Sequence, residues 1–225
     1  DMRLRIQRDL RRWHRWLAVA VAIQLLAWTV SGVFFALVDI EGVRGTPHRQ
    51  AVADANITTQ SIDWVESPAQ KIVLRNRLPN ETVVGVYRQQ GGDWFTLAGH
   101  PLTTLSKDEA LLLGQQLTDL SPNEAVWIDT AVEGSEYRGA DLPLWRVYAT
   151  HEPSTVAYLD ALTGEVTAIR NTSWRWWDFL WSLHIMDYGD RDTIGTWLLK
   201  IFSVLGLASA LAGIALFISL PNKWR

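Results

Sequence analysis

Two histidines beside long apolar segments are the residues of this chain whose type and position best suit metal chemistry. His14 follows a run of arginines and precedes an apolar segment at 17–38, and His184 precedes a second one at 197–220. Neutral imidazole is a common metal ligand, and an ionisable residue at the mouth of a membrane span is a candidate functional residue. The alternative is that each histidine rests at the bilayer interface, wetted by headgroups.

A series of aromatic residues leads up to His184 at helical spacing. The members are separated by 3, 4, 3 and 4 residues, so a helix would place them on one face. They are Trp174, Trp177, Trp181, His184 and Tyr188. An aromatic belt at the headgroup level is one interpretation. A wall around a planar cofactor is the other, and both can hold at once.

The rest of the chain offers little other chemistry. His48, His100 and His151 match no helical zinc motif, and we interpret them as surface or structural residues. The chain has no cysteine, which excludes thiolate metal sites, iron–sulfur clusters and covalently attached haem. It also lacks a nucleotide-binding loop and a flavin site, so an electron donor must be another protein. No nucleic-acid partner is expected.

The positive charge is concentrated at the two ends. The chain has 225 residues and a net charge of −3, yet six arginines lie among its first 15 residues, and Lys223 and Arg225 follow the second apolar segment. By the positive-inside rule both termini are cytoplasmic. The first segment is longer than the roughly 7–15 apolar residues of a signal peptide. We therefore expect a retained anchor and a periplasmic middle.

The middle of the chain is predicted to be a mixed α+β domain. Residues 41–68 have the composition of a loop, and Gly91-Gly92 favours a tight hairpin. Ser106 and Glu109 form a capping box that opens a helix ending near Thr118. Strands are expected at 71–76, 82–89, 93–98, 123–133, 144–150, 155–160 and 166–170.

Part of this domain resembles the PepSY domain. The matching residues are 106–110 at the helix start, the run Trp145-Arg146-Val147-Tyr148, and the last hairpin at 156–166. The resemblance covers about 106–170. It implies one helix packed on an antiparallel sheet.

The flanking segments resemble the PepSY-associated transmembrane family. The first match is the run His14-Arg15-Trp16-Leu17 with Ser31-Gly32-Val33, and the second is Leu183-His184 with the run Gly189-Asp190-Arg191. Gly206 and Gly213 complete the second match and, with Ala210, form a small-residue face for helix contact. Larger members of this family have four or more spans and include iron-regulated, siderophore-reducing, haem-binding inner-membrane proteins. This chain has only two such segments.

Together these observations predict two transmembrane helices flanking an extracytoplasmic PepSY-type domain. The expected parts follow one another in chain order. They are a basic cytoplasmic N-terminus at 1–12, a first transmembrane helix at 13–40, a periplasmic α+β domain at 41–172, an aromatic interfacial helix at 173–190, a second transmembrane helix at 191–220 and a cytoplasmic tail at 221–225.

The resemblance implies a b-type haem protein of the bacterial inner membrane. His14 and His184 would be its iron ligands, with Trp177 and Trp181 beside the cofactor. It would pass electrons from a cytoplasmic donor as part of a reductase. A hydrocarbon core of about 30 Å separates the two histidines, so each would need a twin in a parallel homodimer, or a different histidine-bearing membrane partner. The alternative function is a non-enzymatic PepSY binding module or accessory subunit, anchored by the spans.

Overall fold

The computed structural model describes residues 2–51, 62–65, 68–79 and 81–219. The chain forms two compact units. The helical unit comprises Asp1–Val38 and Trp176–Arg225, and the sheet unit comprises Asp39–Arg175. We describe each unit by itself.

The described residues form five α-helices and seven β-strands. The helices are α1 (Met2–Leu37), α2 (Ile40–Arg44), α3 (Lys107–Leu117), α4 (Thr172–Ile185) and α5 (Trp197–Ser219). The strands are β1 (Lys71–Asn76), β2 (Thr82–Arg88), β3 (Gly91–Thr96), β4 (Glu124–Ile128), β5 (Leu144–Tyr148), β6 (Val156–Asp160) and β7 (Val166–Arg170). The predicted combination of helices and strands in the middle of the chain is therefore present.

The sheet unit contains two antiparallel sheets. One has the order β1-β2-β3 and the other β4-β5-β6-β7. Strands joined by short connections are neighbours in both sheets, which is the simplest antiparallel topology. The helix α3 packs on one face of the four-stranded sheet, as the PepSY resemblance implies.

Each face of the four-stranded sheet has its own core. The α3 side buries Leu113 together with alternate strand residues such as Val147 and Leu159. The opposite face buries Leu144, Val156 and Tyr158 under residues of the β4–β5 connection. Alternation along the strands separates the two cores because successive side chains point to opposite faces.

The start of α3 and the last hairpin agree with the sequence. The Ser106 hydroxyl accepts from the Glu109 backbone N–H, and the Glu109 carboxylate accepts from the Ser106 backbone N–H at 2.7 Å. Gly164, between β6 and β7, has a φ of 74°, where a side chain would be strained. The capping box and the glycine turn are confirmed.

The hairpin between β2 and β3 turns two residues earlier than predicted. Arg88 pairs with Gly91, so Gln89 and Gln90 form the turn and the two glycines begin β3. A Cβ at Gly92 would clash with the ring of Tyr87 on the neighbouring strand. Gly92 therefore leaves room for the Tyr87 ring, whereas Gly91 has open space around it and a φ of 137°.

Three predicted boundaries are wrong. The first helix ends at Leu37, because the Asp39 carboxylate accepts from the N–H groups of Glu41 and Gly42 and caps the separate helix α2. Residues 41–68 are therefore not all loop, although 52–61 and 66–67 lie outside the described residues. The aromatic helix stops at Ile185 rather than at residue 190, and α5 begins at Trp197 rather than at 191.

One apolar helix of the helical unit is long enough to cross a membrane. It is Arg15–Leu37, and little of it is buried within the described structure. The core helix of a soluble protein, or a signal sequence near an N-terminus, also meets this criterion of length and apolar composition. The apolar part of α5 among the described residues, Trp197–Leu211, is shorter than a span.

Candidate functional site around His184

His184 lies near the end of α4 and is held against α1 through its backbone. The indole Nε1 of Trp28 donates to the carbonyl oxygen of His184 at 2.8 Å, and Gln24 Nε2 donates to the carbonyl of Leu183 at 3.4 Å. Helix ends leave carbonyl groups without helical partners. These two side chains satisfy them and fix the end of α4 on α1.

The imidazole itself is fixed by Ser31. Its Nδ1 lies 2.8 Å from the Ser31 hydroxyl, which is also 2.8 Å from the carbonyl oxygen of Ala27. A hydroxyl has a single proton, and a helical serine donates it to the carbonyl four residues back. Both contacts are satisfied when Nδ1 carries the ring proton and donates to Ser31.

This tautomer leaves the Nε2 lone pair of His184 available. Within the described part of the chain, Nε2 has no hydrogen-bond partner, since the ring makes its one polar contact through Nδ1. Histidines that bind a metal through one nitrogen almost always donate the other N–H to a neighbouring group. Ser31 supplies that group here.

Three rings of α4 form a continuous stack. Trp177 and Trp181 are stacked with centroids 5.3 Å apart and planes at 12°. Trp181 and His184 follow at 6.3 Å and 10°. The ring of Phe35 on α1 meets all three, at 5.6, 6.1 and 5.7 Å. The stack restricts rotation of the imidazole and surrounds it with apolar surface.

The helix α4 runs antiparallel to α1 where they meet. Trp177 lies beside Phe35, whereas Leu183 lies beside Gln24, so contacts move toward the start of α1 as α4 proceeds. Ser31 is six residues before the end of α1 at Leu37, which is about 9 Å at about 1.5 Å per residue. His184 therefore lies well inside the apolar helix rather than beyond its end.

Two members of the aromatic series do not belong to this site. Trp174 is part of the sheet unit, where the guanidinium groups of Arg138 and Arg170 lie over its ring at 5.5 and 4.3 Å. Tyr188 follows the end of α4, because Met186 adopts a φ of 54° and breaks the helix. Four residues of the series therefore lie on α4, as predicted, and of these Trp177, Trp181 and His184 contact Phe35.

The backbone of His14 lies on α1, and its side chain is outside what the structure describes. His14 precedes Ser31 by 17 residues, which corresponds to about 25 Å along the helix. The two candidate histidines are therefore far apart within one chain. His48 is half-buried and bonds Asp119 at 3.0 Å, and His100 and His151 are exposed.

The connector between α4 and α5 is held by two aspartates. Asp178, almost fully buried on α4, pairs with Arg191 at 2.6 Å. The Asp187 carboxylate accepts from the N–H groups of Gly189 and Thr193 at 3.3 and 2.9 Å. These contacts fix the chain after His184.

A pattern in the sequence marks the partners of His184 on α1. The polar ones, Gln24 and Ser31, form hydrogen bonds between helices, as expected of polar residues in an apolar helix, whereas Trp28 and Phe35 were missed. Gln24, Trp28, Ser31 and Phe35 are separated by 4, 3 and 4 residues, which puts them on one helix face. The small-residue face has a more limited role than predicted. A Cβ at Gly206 would lie 3.5 Å from Leu25 of α1, whereas Ala210 is exposed.

Among the described residues, no cluster of three or more histidine, cysteine, aspartate or glutamate side chains is suited to a metal ion. Comparisons with protein-family models, with curated proteins and with solved structures found no match.

Proposed function

We propose that the chain is a membrane-anchored b-type haem protein that passes electrons as a component of a reductase. The observation that carries this proposal is the setting of His184. Its Nδ1 is bonded to Ser31, its ring is stacked on Trp181, and its Nε2 is available. A fixed neutral imidazole with one open nitrogen is what an axial iron ligand requires.

The residues around His184 fit a planar apolar group. Trp177, Trp181 and Phe35 provide ring surfaces on the same side of α4. Ser31 keeps the ring proton on Nδ1 and thus fixes which nitrogen faces the cofactor. When bound, haem would supply one-electron exchange at its iron. The protein would position the His184 imidazole, exclude water from the site and hold the ring proton on Nδ1.

Each chain would contribute one ligand to each of two haem sites. His14 and His184 are separated by about 25 Å along α1, so they cannot bind the same iron. In a parallel two-fold dimer each histidine lies opposite its own copy. His184 and its twin would bind an outer haem, and His14 and its twin an inner one. A different histidine-bearing membrane protein would satisfy the same geometry.

The location we propose is the bacterial inner membrane. Both termini would be cytoplasmic, α1 and α5 would cross the bilayer, and the sheet unit would be a periplasmic PepSY-type domain. The basic residues at both ends support this orientation. The packing of α3 on the sheet β4-β5-β6-β7 supports the PepSY resemblance. A cytoplasmic-side protein would donate the electrons.

The haem content of the purified full-length protein tests this proposal. We expect a Soret band and a sharp α-band after reduction with dithionite. His14→Ala and His184→Ala should each remove about half of the haem per chain, and the double variant nearly all. His48→Ala is the matched control, since that histidine belongs to the sheet unit and is bonded to Asp119, and it should leave the haem content unchanged.

Ser31→Ala gives a finer test of the outer site. Removing a group that orients a ligand histidine typically lowers cofactor affinity about 10- to 100-fold, so the variant should lose haem at low concentration. Thr29→Ala is its control, because Thr29 bonds only its own helix, at the carbonyl of Leu25. Full haem content in the double histidine variant would contradict the proposal. The anchored PepSY binding module would then be the better function.

A further inference from the structure

Arg146 is a charged side chain on the face of the four-stranded sheet that α3 does not cover. Its neighbours Trp145 and Val147 belong to the α3-side core. Leu144 and Tyr148 belong to the opposite core. Because side chains alternate along a strand, Arg146 shares the face of Leu144 and Tyr148.

The Arg146 guanidinium has no hydrogen-bond or ion-pair partner among the residues that the structure describes. Its Nε is buried without a partner, and the group lies over the ring of Tyr148 at 5.1 Å. A guanidinium cannot lose its proton to escape this situation. A partly buried charge without a partner is unfavourable, and an anion would relieve it.

The carboxylates nearest to this face are already occupied. Glu136 pairs with Arg175 at 2.6 Å and accepts from the Tyr158 hydroxyl at 3.3 Å. Burial raises the pKa of Tyr158 to about 12, so its hydroxyl stays neutral and keeps donating. Glu124 pairs with Lys107 at 3.2 Å. A carboxylate from a binding partner would give Arg146 an ion pair.

The neighbouring strand β4 offers a place for such an anion. β4 is the terminal strand of its sheet, and β5 is its only strand neighbour in the described part of the chain. Val126 of β4 pairs with Arg146 of β5 and is 44 % exposed. A terminal strand presents unpaired N–H and C=O groups that can add an extended peptide.

We propose that an extended acidic segment of a partner protein adds to β4 as a fifth strand and places a carboxylate on Arg146. Neighbouring strands are about 4.8 Å apart. A residue opposite Val126 on the added strand would lie two strands from Arg146, within reach of two long side chains. Guanidinium and carboxylate form paired hydrogen bonds. This inference concerns the sheet unit and is independent of haem.

The ends of β4 restrict where the acidic residue can lie. Glu124 occupies one end, and Asp129, which accepts from Trp127 Nε1 at 3.3 Å, follows the other. Like charges placed opposite each other on strands are destabilising. The partner segment should therefore have one central acidic residue between apolar or neutral ones.

A synthetic peptide tests this directly on the full-length protein. The probe is a fluorescent, end-blocked heptapeptide Thr-Val-Thr-Glu-Thr-Val-Thr, and its matched control replaces the glutamate by glutamine. Fluorescence anisotropy should show that the glutamate peptide binds about tenfold tighter, as expected for a charge-assisted hydrogen bond. Equal affinities, or no binding of either peptide, would overturn the proposal.

Variants of the protein complete the test. Arg146→Gln should abolish the preference for glutamate without lowering the thermal midpoint, whereas Arg88→Gln, at an exposed position in the other sheet, should keep it. Arg146→Lys keeps the positive charge and should retain part of the preference for glutamate. This variant distinguishes loss of the charge from a folding defect in Arg146→Gln. A preference that survives in Arg146→Gln would overturn the proposal. An NMR signal of the Arg146 Nε–H group whose chemical shift changes with inorganic phosphate and not with the peptide would also overturn the proposal.

Discussion

The two units place polar and apolar side chains in opposite ways. In the sheet unit, Leu113 and Leu159 are buried, and ion pairs lie near the surface. In the helical unit, Ser31 and Asp178 are buried to 0 and 2 % exposure, while Leu207 is 62 % exposed. The first arrangement is what water imposes on a folded chain. The second arrangement suits a hydrocarbon environment, where exposing apolar side chains carries no free-energy penalty.

If the helical unit lies in lipid, this difference explains why the candidate site depends on polar contacts. Between helices in lipid there is no hydrophobic driving force, so small residues and hydrogen bonds decide which faces meet. Gly206 lets α5 approach Leu25, and the contacts of Ser31 and Trp28 with His184 fix α4 on α1. The sheet unit depends on the burial of apolar side chains instead.

The largest expected effect is in the core of the sheet unit. Leu113→Asp buries a charge among apolar side chains, which should destabilise that unit by about 4 kcal/mol or more. Leu112→Asp is the control, because Leu112 is exposed on the same helix. In urea-dependent proteolysis of the full-length protein, the urea concentration at the unfolding midpoint should fall strongly for Leu113→Asp and stay near the wild-type value for Leu112→Asp. Similar midpoints would mean that α3 does not pack as described.

The next effect tests the reversed polarity of the helical unit. Leu207→Asp puts a charge on the exposed face of α5. If that face meets lipid, the change should cost about 3 kcal/mol of insertion free energy, measurable with glycosylation tags in microsomes. Leu207→Ala is the control and should insert nearly as well as the wild type. Unchanged insertion of Leu207→Asp would place this face in water and remove the contrast between the units.

A smaller effect is expected at the buried ion pair of the helical unit. Asp178→Ala removes the carboxylate that pairs with Arg191 and should lower the free energy of unfolding by about 2–3 kcal/mol. This loss is smaller than the one expected for a fully buried ion pair, because Arg191 is partly exposed. Thermal unfolding in detergent measures it. The double variant Asp178→Leu, Arg191→Leu removes both charges and should recover much of the loss. A double variant as unstable as Asp178→Ala would show that the ion pair is not the cause.

Local chemistry made much of the sheet unit predictable. The capping box at Ser106 and the turn at Gly164 each depend on a few adjacent residues, so the sequence was sufficient to locate them. The turn between β2 and β3 was misplaced because Gly92 lies in β3, where it leaves room for the Tyr87 ring of the neighbouring strand. Such a contact depends on the register of two strands, which local patterns do not specify.

The candidate site was predictable only in part. Trp177, Trp181 and His184 were found because they share one helix face. Their partner Ser31 lies 153 residues away in the chain, and helical spacing alone does not say which two faces meet. Tyr188 was assigned wrongly because the periodic pattern continues past Ile185, where the positive φ of Met186 ends the helix.

The smallest expected effect concerns the sheet unit, where the exposed carboxylate of Glu109 stabilises the start of α3 through hydrogen bonds. The backbone N–H and hydroxyl of Ser106 lower the pKa of Glu109 below its ordinary value of 4.5. A lowered pKa in the folded state means that the carboxylate stabilises the fold above pH 4.5 and loses this contribution as the pH falls through the lowered value. Ser106→Ala should therefore cost about 1 kcal/mol at pH 7 and less at pH 3, as measured by urea midpoints. Glu109→Gln keeps a capping side chain and should remove this part of the pH dependence. A cost of Ser106→Ala that is the same at both pH values would show that the hydroxyl acts on the helix without the help of the carboxylate.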